Sequence, residues 1–237
     1  MNRYDNGTLG TAAALTDWVT NNLTYFGNEP GVTFWVDIAT YGDGYVRNGS
    51  ISRYPISDRV TYSDAGGGYG DLRGMESFQV QLSGTNYLKI FHVHLKCCED
   101  GCDRRQSEAT VDATNMMNWA STNSIPYIFT GDCNESEDPR DTPECALTNS
   151  YHPITTLEQV GRLVDYEPTT ISGHWRTWST GDPSPYTNIR FDYVLAATNR
   201  LSPVSGYVFS TMDWANYGLY TNANPQNMSY GSQASDH

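Results

Sequence analysis

The chain has 237 residues, 38% of them hydrophobic, with 17 Tyr and 6 Trp, and a formal net charge of −13. That length suits one large domain, and the aromatic-rich, Lys-poor composition suits a sheet-rich protein. The charge excludes general electrostatic attraction to nucleic acid, which rests on Lys and Arg contacts to phosphate, and no apolar stretch is long enough to span a bilayer.

Apolar spacing predicts a helix over Leu9–Leu23, with Leu15, Trp18, Val19 and Leu23 on one face. Val32–Ile38 reads as a strand, Gly42-Asp43-Gly44 as a hairpin-type turn, and Tyr45–Ile51 as a strand broken by Pro55. Gly66-Gly67-Gly68 reads as a flexible loop. Phe78–Leu82 and Tyr87–Leu95 read as a strand pair. Asp103 is placed to cap a helix, with Gln106 as its capping-box partner and Ala109, Ala113, Met116, Met117 and Ala120 as the apolar stripe. Pro126–Thr130 reads as a short buried strand running into Gly131-Asp132, followed by a long polar loop. Leu163–Tyr166, Phe191–Ala197 and Val204–Phe209 complete the strands, and the tail from Tyr217 reads as a loop. Strands interleaved with helices make a mixed α/β fold.

The five cysteines are Cys97, Cys98, Cys102, Cys133 and Cys145. Without a nearby His or a second CxxC pair, zinc binding is disfavoured. Short-loop disulfides are expected instead: Cys97 or Cys98 with Cys102, and Cys133 with Cys145. Disulfides of this kind point to an oxidising compartment, secreted or periplasmic, although no signal peptide is read in this sequence.

Four short stretches carry the chemistry: His94-Leu95-Lys96, Gly131-Asp132-Cys133-Asn134, Phe191-Asp192-Tyr193 and Ser235-Asp236-His237. Asp132 and Asn134 follow a strand directly, which is where open α/β sheets place their sites, and where an ordinary Asx-turn also stops a strand. Asp192 lies inside an apolar strand and needs a partner, for which His237 is a candidate. His92 shares a face with His94, so spacing alone does not choose between them. The loop containing Trp175 and Trp178 is either a surface for a base, a sugar or a lipid, or a loop anchored by two rings.

Taken in order, these four stretches resemble the endonuclease/exonuclease/phosphatase superfamily, the DNase I-like fold. Arg47-Asn48-Gly49-Ser50-Ile51-Ser52-Arg53-Tyr54-Pro55-Ile56 is similar to that family's strand-then-Ser-Arg-Tyr-Pro segment, and Arg73-Gly74 to a weaker element. The resemblance implies a four-layer α/β sandwich of two packed, mostly antiparallel sheets with outer helices. It implies a single domain over 1–237 and metal-dependent hydrolysis of phosphate esters with Mg²⁺, or Mn²⁺ or Ca²⁺. His237 would be the general base and Asp192 its partner. Asp132 and Asn134 would orient water and contact metal and phosphate, Asp236 would be a metal ligand or its neighbour, and His94 would donate to a phosphoryl oxygen. Nucleic acid, phospholipid headgroups and inositol phosphates are the substrates relatives imply, for a monomer without a membrane span.

The family also implies an Asn on its first strand and a Gln-Glu whose Glu holds the metal. Neither occurs here: Glu29 and Glu76 do not match, and the sequence ends at His237 where relatives continue. The expectation is a domain lacking its first strands and its last. Loss of that Glu motivates a second reading, a catalytically impaired relative that binds a partner. A sugar-binding β-rich protein is a third, suggested only by Tyr and Trp content.

Overall fold

The computed structural model describes residues 11–27, 33–40, 47–63, 73–97, 101–141, 145, 150–169, 173, 175–177 and 189–201. Helix α1 (Ala12–Gly27) packs on β1 (Trp35–Ile38), which pairs antiparallel with β2 (Gly49–Ser52) in a two-stranded sheet. The larger sheet has six strands: β3 (Ile56–Tyr62), β4 (Met75–Ser83), β5 (Asn86–His94), β6 (Tyr127–Asp132), β7 (Leu163–Asp165) and β8 (Asp192–Ala197). Their spatial order is β3-β4-β5-β6-β8-β7. Among the described strands only the β5–β6 pair is parallel, because α2 (Cys102–Thr122) makes the crossover between them. A third helix, α3 (Pro153–Gly161), packs beside α2. The result is an α/β sandwich: α1, the small sheet, the large sheet, then α2 and α3.

Strand alternation splits the large sheet into two unlike faces. Met75, Phe91, Val93, Tyr127, Phe129, Tyr193, Leu195 and Ala197 share a buried cluster with Ala109, Ala113 and Met116 of α2 and with Ile154 and Leu157 of α3. Phe91, Trp119 and Tyr127 stack edge to face at its centre, with centroids 5.5–6.1 Å apart. Lys89 belongs to the same face and is fully buried. Its Nζ donates to the Asp58 backbone and carboxylate at 2.9 and 2.8 Å and lies over the Phe91 and Trp119 rings, and burial lowers its pKa. The opposite face meets the small sheet through polar contacts. Asn48 Nδ2 donates to the Gly74 and His92 carbonyls, and Ser50 Oγ donates to Glu76. Burial, and then the neighbouring Asp37, push the Glu76 carboxyl up to about 7.

Several expectations change. Trp18 is 41% exposed, so the buried stripe of α1 runs through Leu15 and Val19. Strand β3 was hidden by Pro55 and by its own surface-exposed middle. Helix α3 begins with Pro153, and Glu137 caps it from a distance by accepting from the Ile154 and Thr155 N–H groups. The N-cap of α2 is Gly101, with Asp103 inside the first turn and no side-chain cap. Gln106 is no capping-box partner: it bonds Thr156 Oγ1 and the His152 N–H, and so ties α2 to α3. The disulfide joins Cys102 to Cys145, not Cys133 to Cys145 or Cys102 to Cys97 or Cys98. Cys133 directly follows β6, its side chain lies fully inside the helix-side cluster, and it is a free thiol whose pKa burial raises. Cys102, at the start of α2, meets the loop carrying Cys145 instead. Gly42-Asp43-Gly44, Gly66–Gly68, Cys98, Val204–Phe209 and the tail lie outside the described residues.

Candidate active site

Ladder register brings three of the singled-out residues abreast. His94 pairs with Asp132 across β5–β6, and Asp132 pairs with Asp192 across β6–β8. All three therefore leave the same face at neighbouring strand ends, on the side toward the small sheet. His94 Nε2 lies 3.3 Å from Asp132 Oδ2, with the two side chains 29% and 16% exposed. The other oxygen, Asp132 Oδ1, accepts from the Asn134 N–H at 2.8 Å. That Asx-turn puts Asn134 at φ 51°, a left-handed conformation that Asn tolerates. Asn134 is buried, and its Nδ2 donates to the Leu95 carbonyl at 3.0 Å.

The surroundings hold these groups still. Arg73 is buried and its guanidinium donates to the Leu95 carbonyl at 2.9 Å, so Arg73 and Asn134 grip the same strand end. Thr177 Oγ1 accepts from the Phe191 and Asp192 N–H groups, both at 3.0 Å. Arg190 forks onto Asp165 and stacks on Tyr193, anchoring the entry to β8. At Gly131, φ is 146° and a Cβ would meet the Val93 carbonyl oxygen at 2.1 Å. Only glycine lets β6 approach β5 closely enough to deliver Asp132.

His92 and His94 are resolved by this geometry. His92 Nδ1 is 3.1 Å from Thr130 Oγ1, and burial pushes its pKa down to about 4. It is a neutral interior histidine, and His94 is the one that reaches the strand end. Trp175 is not an open stacking surface. Arg140 and Arg176 lie 4.2 and 4.9 Å from its ring centroid, and Arg176 is itself held by Asp141. Trp178, Asp236 and His237 lie outside the described residues. Arg73 and Thr177 were not singled out for this site. Arg73-Gly74 offered a faint signal, whereas Thr177 offered none, because its role depends on a contact 14 and 15 residues away.

Of the expected ligands, Asp132 and Asn134 lie among the described residues, and carboxylate and amide oxygens are the ligand chemistry of Mg²⁺, Mn²⁺ or Ca²⁺ and not of zinc. Among the described residues no group of three or more His, Cys, Asp or Glu is placed to hold a metal ion.

No protein-family model matches the sequence, and no curated protein matches it. Solved structures do. An endonuclease/exonuclease/phosphatase family protein from Bacteroides thetaiotaomicron superposes with a TM-score of 0.54 and 16% identity, over 78% of this chain and 64% of that one. The fold is DNase I-like. A protein of the same description from Leptotrichia buccalis C-1013-b gives 0.54 and 13% over 83% and 72%. A Bacteroides thetaiotaomicron VPI-5482 mannosyl-6-phosphatase gives 0.53 and 16% over 79% and 68%. The DNase I-like region of this chain thus spans about two thirds of the length of these structures.

Proposed function

We propose that this chain is a phosphoester hydrolase whose active site is built on His94, Asp132, Asn134 and Asp192. The observation that carries the reading is the register of β5, β6 and β8, which sets His94, Asp132 and Asp192 side by side on a DNase I-like sheet. The strands are buried through their other face, so the helix-side core does not require this trio of one imidazole and two carboxylates.

His94, oriented by Asp132 at 3.3 Å, donates a hydrogen bond to a phosphoryl oxygen. Asn134, fixed by its bonds to Asp132 and Leu95, orients the attacking water. His237 removes the proton from that water, and Asp192 sets the tautomer of His237. Asp132 and Asn134, with Asp236, hold a divalent cation, which when bound neutralises charge on the phosphate group. The substrate is a phosphate ester of nucleic acid, a phospholipid headgroup or an inositol phosphate. The mannosyl-6-phosphatase neighbour adds sugar phosphates to that range. The disulfide Cys102–Cys145 suits a secreted or periplasmic protein.

Hydrolysis of bis-p-nitrophenyl phosphate with Mg²⁺ or Mn²⁺, repeated in EDTA, tests the proposal. EDTA-sensitive turnover that falls in His94→Ala supports it. Absence of turnover on this probe and on a panel of phosphomonoesters would favour the binding-relative reading.

A further inference from the structure

Two carboxylates, Asp37 and Glu76, meet between the sheets. Asp37 on β1 lies directly opposite Ser50 on β2, so both side chains leave one face of the small sheet. Glu76 meets them from β4, and Ser50 Oγ donates to its Oε2 at 3.1 Å. Glu76 is 1% exposed, and its Oε1 has no hydrogen-bond partner among the described residues. What faces Glu76 is the Asp37 carboxylate, an acceptor when ionised. Arg59 Nε lies 3.5 Å from Asp37 Oδ1, on a side chain that is itself 46% exposed. A buried carboxylate oxygen without a hydrogen-bond donor is costly.

We propose that Asp37, Ser50 and Glu76 form a binding site for a divalent hard cation, separate from the site around Asp132. All three donors are oxygens, with no nitrogen or sulfur ligand to favour zinc or copper. His92, opposite Glu76 in the ladder, turns its Nδ1 to Thr130 and is not part of the set. The donors come from two different sheets, and Ca²⁺, whose oxygen coordination is flexible, is suited to such a set better than Mg²⁺, which demands near-ideal octahedral geometry. The location is distinct. Glu76 pairs with His92 on β5, whereas Asp132 lies on β6 beside His94. Strand spacing and rise put the two carboxylates roughly 12 Å apart along the sheet. An ion held here crosslinks the small sheet to the large one.

Calorimetric titration of CaCl2, and separately MgCl2, into the EDTA-stripped full chain tests this without any assay of activity. Wild type and Asp132→Asn are expected to retain the site with similar affinity and to gain thermal stability from Ca²⁺. Glu76→Gln and Asp37→Asn are expected to weaken that binding at least about tenfold, the scale of losing a metal-site side chain, and to lose the stabilisation. Ser50→Ala, which leaves both carboxylates in place, is the milder variant should Glu76→Gln fold poorly by circular dichroism. It is expected to weaken binding severalfold. Binding unchanged in Glu76→Gln and Asp37→Asn, or lost only in Asp132→Asn, overturns the proposal. So does a wild type that binds neither ion, which would mean that the pair holds a shared proton only.

Discussion

The two faces of the six-stranded sheet use the same strands for opposite purposes. On the helix side, Phe91, Val93, Phe129, Tyr193 and Leu195 exclude water beneath α2 and α3. One residue along each strand, on the other side, stand His92, His94, Thr130, Asp132 and Asp192. The apolar face contributes stability through burial. The polar face spends some of it, holding carboxylates and imidazoles close together in a half-buried layer. Because the period of a strand is two, neither face constrains the residues of the other, and chemistry is added to this sheet without cost to its core.

That division predicts separable mutant classes. Asp132→Ala removes the partner of both His94 and the Asn134 N–H, and turnover on a responsive phosphoester should fall by about 10³–10⁴-fold. Its urea midpoint should move little by comparison. Phe91→Ala, on the opposite face and ringed by Trp119 and Tyr127, should instead cost about 3–5 kcal/mol in denaturant unfolding. Residual folded protein should keep its turnover per molecule. If both substitutions hit stability equally, the two faces are not independent. His94→Gln keeps a polar side chain at the strand end and should lower turnover about 10²-fold.

The smallest expected effect is in pH dependence. His92 is held neutral with a folded pKa of about 4, below the ordinary value of 6.5. The unfolded chain therefore binds a proton that the folded chain refuses. Stability is lost as pH falls from 6.5 toward 4, by at most about 3 kcal/mol from this residue. His92→Gln, unable to titrate, should flatten that part of the stability profile. Urea titrations at pH 7 and pH 4.5 read the difference, and an unchanged acid slope would show that His92 is not the titrating group.

Much of this was legible from local pattern. Helix α2, strands β4, β5, β6 and β8, and the positions of His94, Asp132 and Asn134 at or near strand ends follow from periodicities of 3.6 and 2 and from turn chemistry, whereas Asp192, read as strand-interior, opens β8. Those signals are written within a dozen residues. Strand β3 was missed because it is exposed through its middle, and helix α3 because it has only 9 residues and is capped by Glu137 from 17 residues away. The pairing of Cys102 with Cys145 spans 43 residues and depends on where α2 delivers its first turn.

Sequence by itself determined the elements and which residue types stand at their ends, because backbone sterics and side-chain periodicity act over short range. Tertiary structure decided which of those residues meet. It separated His94 from His92 by register against Thr130 and Asp132. It closed Arg140 and Arg176 over Trp175. It set Asp37 against Glu76 across two sheets, although 39 residues separate them in the chain, the difference between positions 76 and 37. Such encounters depend on ladder register and layer packing, and no local spacing encodes them.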